Sequence, residues 1–279
     1  MRLIAWMLVF FITAQVLGIF TGLTILADIN HNPYVEELVI TSNAEEPSNA
    51  LFFIGYILFG AVFMILLIRY LGKIPLVFML MEFMLISTAS SIVFYAFLRL
   101  ALGYDASTLV AIAMGLAFSG LKVLRPNFKN AAAILATAGV GVIFGISLGI
   151  LPLIIFLVFL SVYDYLSVFM TKHMVELANF VVKKNLAFTV TARAPPPKKG
   201  MREQRIDLGT GDMIAPIMLE VSALSVSPVA TAFVFVGSVV SLGLFLTLVW
   251  RSKMVLPALP PIVFGMIISL LIGYLGGFY

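Results

Sequence analysis

Apolar positions along the chain come in long unbroken runs, and polar positions gather between them. Nine such runs lie at roughly 3–27, 50–71, 74–98, 106–123, 130–147, 150–171, 209–226, 229–249 and 255–277. Most hold about 20 residues, the length a helix needs to cross a ~30 Å hydrocarbon layer. Barrel strands would be shorter and would alternate apolar with polar positions, and these runs do neither. A spanning segment must also satisfy its own backbone hydrogen bonds, which a helix does. The pattern therefore predicts an all-α membrane protein of nine transmembrane helices. The first run is too long for a cleaved signal and carries no convincing cleavage site, so it is expected to be a retained span.

Composition agrees: 62% of the 279 residues are hydrophobic and 11% are charged. A soluble core of this size cannot hide that much apolar surface. The net charge of +4 invites a nucleic-acid reading, but its placement argues for membrane topology instead. The first loop, 28–49, holds Asp28, Glu36, Glu37, Glu45 and Glu46 and no Lys or Arg. Basic residues collect on the cytoplasmic side, so this loop faces outward. Alternation from there places sixteen of the seventeen basic residues inside and only Arg99 outside. The N-terminus is then cytoplasmic and the C-terminus external. The chain reads as one integral membrane domain: helices 1–6 over 1–182, a flexible cytoplasmic loop over 183–207, and helices 7–9 over 208–279. Within that loop Ala194-Pro195-Pro196-Pro197-Lys198-Lys199-Gly200 predicts an extended, mobile linker. With no cysteine, disulfides, thiolate chemistry and zinc–sulfur sites are excluded.

Four acids interrupt the apolar runs: Glu82, Asp164, Asp212 and Glu220. An ionised group near the bilayer centre costs roughly 2.5–3.5 kcal/mol even on the mild insertion scale, so each needs a reason. Asp164 lies eight residues before Lys172, and Asp212 seven after Arg205. At a ~1.5 Å rise both sit about 10–12 Å inside the cytoplasmic boundary. On antiparallel neighbours these carboxylates can face each other. Ionised together at ~4 Å they would repel by about 4 kcal/mol at an effective dielectric near ~20, so near neutrality the pair should share one proton. Asp212, at a helix start, favours the ionised form. Asp164, among Val162, Leu166 and Phe169, favours the neutral one. Such a pair can hydrolyse a peptide: one carboxylate takes a proton from water, and its protonated partner polarises the carbonyl.

The local sequence suits that task. Gly209 and Gly211 precede Asp212, and glycine allows close approach and unusual dihedrals. Tyr163 precedes Asp164, and Pro257-Ala258-Leu259 opens the last run at nearly the same depth. Prolines there remove backbone donors and are expected to disturb the first turns, leaving polar groups that an unwound substrate strand can pair with. Two features read as packing: Gly141, Gly145 and Gly149, spaced by four, mark a face for close helix contact. Gly145-Ile146-Ser147-Leu148-Gly149 matches a hydrolase elbow in letters only, since that motif needs a strand–turn–helix setting and a histidine. The two histidines stand at 31, in the outer loop, and 173, at a helix end.

Tyr163-Asp164, Gly209-Thr210-Gly211-Asp212 and Pro257-Ala258-Leu259 together resemble the YD, GxGD and PAL signatures of the presenilin and signal peptide peptidase family, in order and on spans six, seven and nine. The resemblance covers the whole chain and is greatest to an archaeal presenilin homologue. It implies a presenilin-like fold and an intramembrane aspartyl endopeptidase with Asp164 and Asp212 catalytic. Tyr163, Gly209, Gly211, Pro257, Ala258 and Leu259 would then support the active site, with no metal or cofactor. It implies transmembrane helix substrates, the lipid bilayer as partner, room for a homo-oligomer, and a prokaryotic, archaeal cell membrane. The orientation is similar to that of presenilins, whereas Pro216 after Gly211-Asp212 resembles the GDxxxP pattern of the peptidase branch. The short connection before Asp212 argues against autocleavage and against an obligatory accessory subunit. A proton-coupled transporter and a leak channel are the alternatives from other classes, because intramembrane acids also mark ion paths. A transporter predicts inverted repeats, and none is evident.

Overall fold

The computed structural model describes residues 2–72, 74–171, 186–194, 204–252 and 257–279. The described chain is largely helical. Helix α1 spans Arg2–Asp28, α2 is a single turn over Pro33–Glu36, and α3 spans Ser48–Leu71. Helices α4 (Pro75–Leu98), α5 (Tyr104–Leu124), α6 (Lys129–Ser147) and α7 (Ile150–Leu166) follow, and α7 runs on as a π-turn over Ser167–Thr171. After the connection come α8 (Thr210–Leu224), α9 (Pro228–Ser252) and α10 (Leu259–Leu275). Among the described residues seven helices are long and apolar enough to cross a membrane: α1, α3, α4, α5, α6 with the short 3₁₀ turn before it, α7 and α9. Helices α8 and α10 are shorter, at 15 and 17 residues.

One element departs from the all-α expectation. Strands β1 (Thr189–Ala194) and β2 (Gln204–Gly209) pair antiparallel, with Thr189 opposite Gly209 and Ala194 opposite Gln204. The segment 183–207 is therefore not a loop throughout. Val190, Ala192 and Leu208 are buried on one face; on the other, Thr189 and Thr191 are buried as well, while Arg193, Arg205 and Asp207 are exposed. Of the proline-rich tract, Ala194 ends β1 and residues 195–200 lie outside the described residues. Lys73, Lys172, His173, Lys183, Lys184, Arg202 and Lys253 also lie outside them.

The surface shows why these helices need lipid. Leu51, Phe59, Tyr70, Leu109, Leu244, Leu248 and Phe264 are exposed, far beyond the scattered apolar residues of a soluble surface. Helix α3 sits at the rim and buries only Ala50, Phe53 and Leu67; it packs against α7, and Leu67 meets Phe78 and Leu186. Helix α6 is central, with Ala132, Ala133, Ala136, Ala138 and Val142 all buried. It packs on α1, α4 and α8.

Small residues set that centre. A Cβ on Gly141 would meet Ile217 at 2.6 Å, and one on Gly145 would meet Val221 at 2.7 Å. On the other side, Gly18 and Gly22 of α1 seat the same Ile217 and Val221, at 2.4 and 2.8 Å. Helix α8 is thus gripped between two small-xxx-small faces, the arrangement that lets helix backbones approach closely in lipid. Gly149 does not belong to that face: α6 ends at Ser147, and Gly149 lies against Glu45 of the connection between α2 and α3. Ser147 ties the same loop, its Oγ accepting from the Ile40 N–H at 3.0 Å.

Arg99, the one basic residue that alternation leaves on the acidic side, is explained by its partner. Its Nε donates to Asp28 Oδ2 at 2.6 Å and its Nη2 to Asp28 Oδ1 at 3.2 Å. Its guanidinium lies 4.0 Å from the Tyr104 ring centre. The hydrogen bond to Asp28 raises the guanidinium above the ordinary arginine range. Tyr95 donates to the same carboxylate at 2.7 Å and accepts from Asn32 at 3.0 Å.

Candidate active site

Helices α7, α8 and α10 pack on one another, and each carries one of the three motifs. Asp164 lies in the last turn of α7, immediately before the helix widens into its π-turn. Such turns are frequent at functional sites. The Ser167 N–H returns to the carbonyls of Asp164 and Tyr163. Val162, Leu166 and Phe169 are exposed at 54%, 41% and 41%. They face outward, so they do not wall the Asp164 carboxylate as the sequence suggests.

Asp212 occupies the first turn of α8, and a strand-to-helix junction fixes it there. Gly209 closes β2, and Thr210 opens α8. The Thr210 N–H and hydroxyl both donate to the Phe188 carbonyl, at 3.1 and 3.2 Å. The Gly209 backbone lies beside the Asp212 carboxylate, at a helix N-terminus, where an acid is favoured. Gly209 has ordinary extended dihedrals, φ −65° and ψ 143°, so its value is room: a Cβ there would come within 3.2 Å of Asp212 Oδ2. A Cβ on Gly211 would meet nothing within 4 Å, which leaves open space beside the acid.

The two aspartates, 48 positions apart in the chain, are near enough to interact electrostatically. Both are half-buried. Neither forms an ion pair with any described Lys or Arg. The third motif completes the site: the Leu259 backbone amide lies near the Asp164 carboxylate. Ala258 and Leu259 are buried and Pro257 is half-buried. Pro260 and Pro261 fall in the first turn of α10, where proline is welcome. Among the described residues the expected disturbance of those turns is therefore absent, and the non-helical backbone before α10 comprises Pro257 and Ala258. Tyr163 is half-buried beside Asp164.

The ribbon is fastened beside this site in a way the sequence did not reveal. Asn130 of α6 donates from Nδ2 to the Thr191 carbonyl at 2.8 Å and accepts the Thr191 N–H at 3.0 Å. It thereby closes the outer edge of β1 as a neighbouring strand would. Lys129 Nζ reaches Thr189 Oγ1 at 3.0 Å. The remaining two acids separate. Glu82 is buried and pairs with Lys122 at 2.5 Å. Glu220 is fully buried, two turns beyond Asp212, and among the described residues neither of its carboxylate oxygens has a hydrogen-bond partner.

Two aspartates close enough to interact within a bundle of membrane-crossing helices are what an intramembrane aspartyl protease requires. Comparison with known proteins agrees. The family model described as signal-peptide peptidase, presenilin aspartyl protease matches residues 9–277, and the chain belongs to that family. A solved presenilin family intramembrane aspartate protease, in a C222 crystal form, is 28% identical with a TM-score of 0.69, covering 98% of each chain. A P2 crystal form of such a protease is 28% identical with a TM-score of 0.64, covering 94% of this chain and 96% of the other. No curated protein matches the chain.

Proposed function

We propose that Asp164 and Asp212 are the catalytic pair of this protease and act together on one water molecule. One carboxylate accepts a proton from the water. The other, protonated, donates to the carbonyl oxygen of the scissile bond, so that charge does not accumulate on it. The observation that carries this reading is the packing of α7, α8 and α10 on one another, with Asp164 and Asp212 within electrostatic reach and the backbone of Gly209 and Leu259 beside them. Those backbone groups border the carboxylates without the full charge of a lysine or arginine, which would hold both of them ionised.

Gly211 and the Pro257–Leu259 stretch form the wall on which substrate backbone lies. Tyr163 borders Asp164 on that wall. The substrate is a transmembrane helix that must unwind to expose its carbonyl, since helical carbonyls are already hydrogen-bonded. In this reading the chain crosses the membrane nine times, with α8 and α10 as short spans, the N-terminus cytoplasmic and the C-terminus external. The charge pattern supports it, and so does the pairing of Arg99 with Asp28. Water reaches the aspartates from the cytoplasmic end. The enzyme works without an accessory subunit, as the brevity of the connection before Asp212 suggests, and resides in an archaeal cell membrane, as the resemblance suggests.

One observation favours a second reading: the buried, unpartnered carboxylate of Glu220 is of the kind that marks ion paths. One experiment separates the two. Purified protein in lipid vesicles is incubated with a single-span substrate, and the products are weighed by mass spectrometry. The protease reading expects two fragments that meet within the apolar segment. An intact substrate with proton flux across the vesicle wall would favour the ion path.

A further inference from the structure

Glu82 stands 130 positions before Asp212 in the chain, yet a short series of contacts joins them. Glu82 lies two turns into α4 and is 2% exposed. Its Oε1 receives Lys122 Nζ at 2.5 Å and also accepts the Ala187 N–H. Lys122, on the neighbouring helix α5, is 7% exposed. The next residue after Ala187 is Phe188, whose carbonyl takes both donors of Thr210. The one after that, Thr189, lies opposite Gly209. The series Lys122–Glu82–Ala187–Phe188–Thr210 thus ends two residues before Asp212.

A buried ion pair is a weak source of net stability, because desolvation offsets its attraction. What this pair adds is direction. The apolar residues at this corner, Leu67, Phe78 and Leu186 with Phe188 against them, form a small cluster separate from the main core. Apolar contact alone lets a chain slide, whereas a carboxylate already held by an ammonium gives the Ala187 N–H one place to point. We propose that Glu82, steadied by Lys122, is a positioning residue for Asp212. It fixes where β1 begins, and through Phe188 where α8 begins. The proposal rests on the reading of Asp212 as catalytic, because it is that carboxylate whose placement the series governs. A displacement of about 1 Å in a reacting group costs on the order of 10²-fold in rate.

Two double variants of the full-length protein test it in lipid. Glu82→Leu with Lys122→Met removes both charges and the acceptor. Glu82→Gln with Lys122→Met removes both charges but leaves an oxygen for the Ala187 N–H. Three quantities are measured: the unfolding midpoint, kcat and KM on a single-span substrate, and hydrogen exchange at residues 187–191 and 206–210. The first variant should unfold near the wild-type midpoint, exchange faster at 187–191, and lose about 10²-fold in kcat with KM little changed. The second should recover most of that kcat and the slow exchange. A merely structural role predicts that the two doubles match each other in kcat. Wild-type kcat and exchange in the first variant would overturn the proposal. If the wild-type protein cleaves no substrate, the protease reading fails by itself, and exchange alone still decides whether Glu82 holds the ribbon.

Discussion

Glu82, two turns into α4, and Asp164, in the last turn of α7, are both carboxylates of membrane-crossing helices at the end of the bundle where the ribbon lies, and they have opposite surroundings. Glu82 has a lysine at 2.5 Å and a backbone amide. Asp164 has a backbone amide and another carboxylate, and forms no ion pair with a described cation. The same contrast holds at the far end of the bundle, where Asp28 is closed off by Arg99 and Tyr95. An acid matched to a cation has its charge settled, and it serves as a fixed joint. An acid matched to another acid has to share a proton, and is free to trade it with water. With Asp164 and Asp212 proposed as the catalytic pair, it is the partner each acid receives, more than its depth in the membrane, that separates structure from chemistry.

Breaking the unmatched pair should have the largest effect. Asp164→Asn and Asp212→Asn should each lower kcat by about 10⁴-fold or more while circular dichroism and the unfolding midpoint stay near wild type, as for groups that act as a unit. Next comes the matched pair. Lys122→Met alone strands the Glu82 carboxylate in a buried site, and unfolding in mixed micelles should show a loss of about 3–5 kcal/mol. Gly139→Ala acts on packing only: its Cβ would lie 1.9 Å from the Ala89 carbonyl oxygen, forcing α6 from α4. The same unfolding assay should lose about 1–3 kcal/mol. The smallest effect is at Arg205, which is 3.2 Å from Asp207 on the exposed side of the ribbon. Arg205→Ala should change stability by less than about 0.5 kcal/mol. A large loss there would show that exposed pairs carry structure as well.

The helices were legible because lipid imposes a length. The runs at 50–71 and 74–98 became Ser48–Leu71 and Pro75–Leu98. The depth of Asp164 and Asp212 could be counted from flanking charges, because helical rise converts sequence distance into height, and the two lie within electrostatic reach of each other. The ribbon was not read, although Val190 and Ala192 alternate with Thr189, Thr191 and Arg193 in the period of a strand. Its two halves are short, and the prolines between them dominate the local composition. The partner of Glu82 was hidden for a different reason. Lys122 reads as a boundary charge, but its long side chain turns inward, and no count along one helix reports a contact between two. Asn130 was equally silent, since a single amide that imitates a strand leaves no periodic trace.

The claim on which the account depends is that Asp164 and Asp212 work as one unit, and a double-mutant cycle on cleavage tests it most directly. Rates are compared for Asp164→Asn, Asp212→Asn and the variant carrying both, on the same single-span substrate. The account predicts that both single variants fall to one common floor and that the double variant falls no further. Losses that multiply in the double variant, or a single variant that retains substantial cleavage, would contradict it.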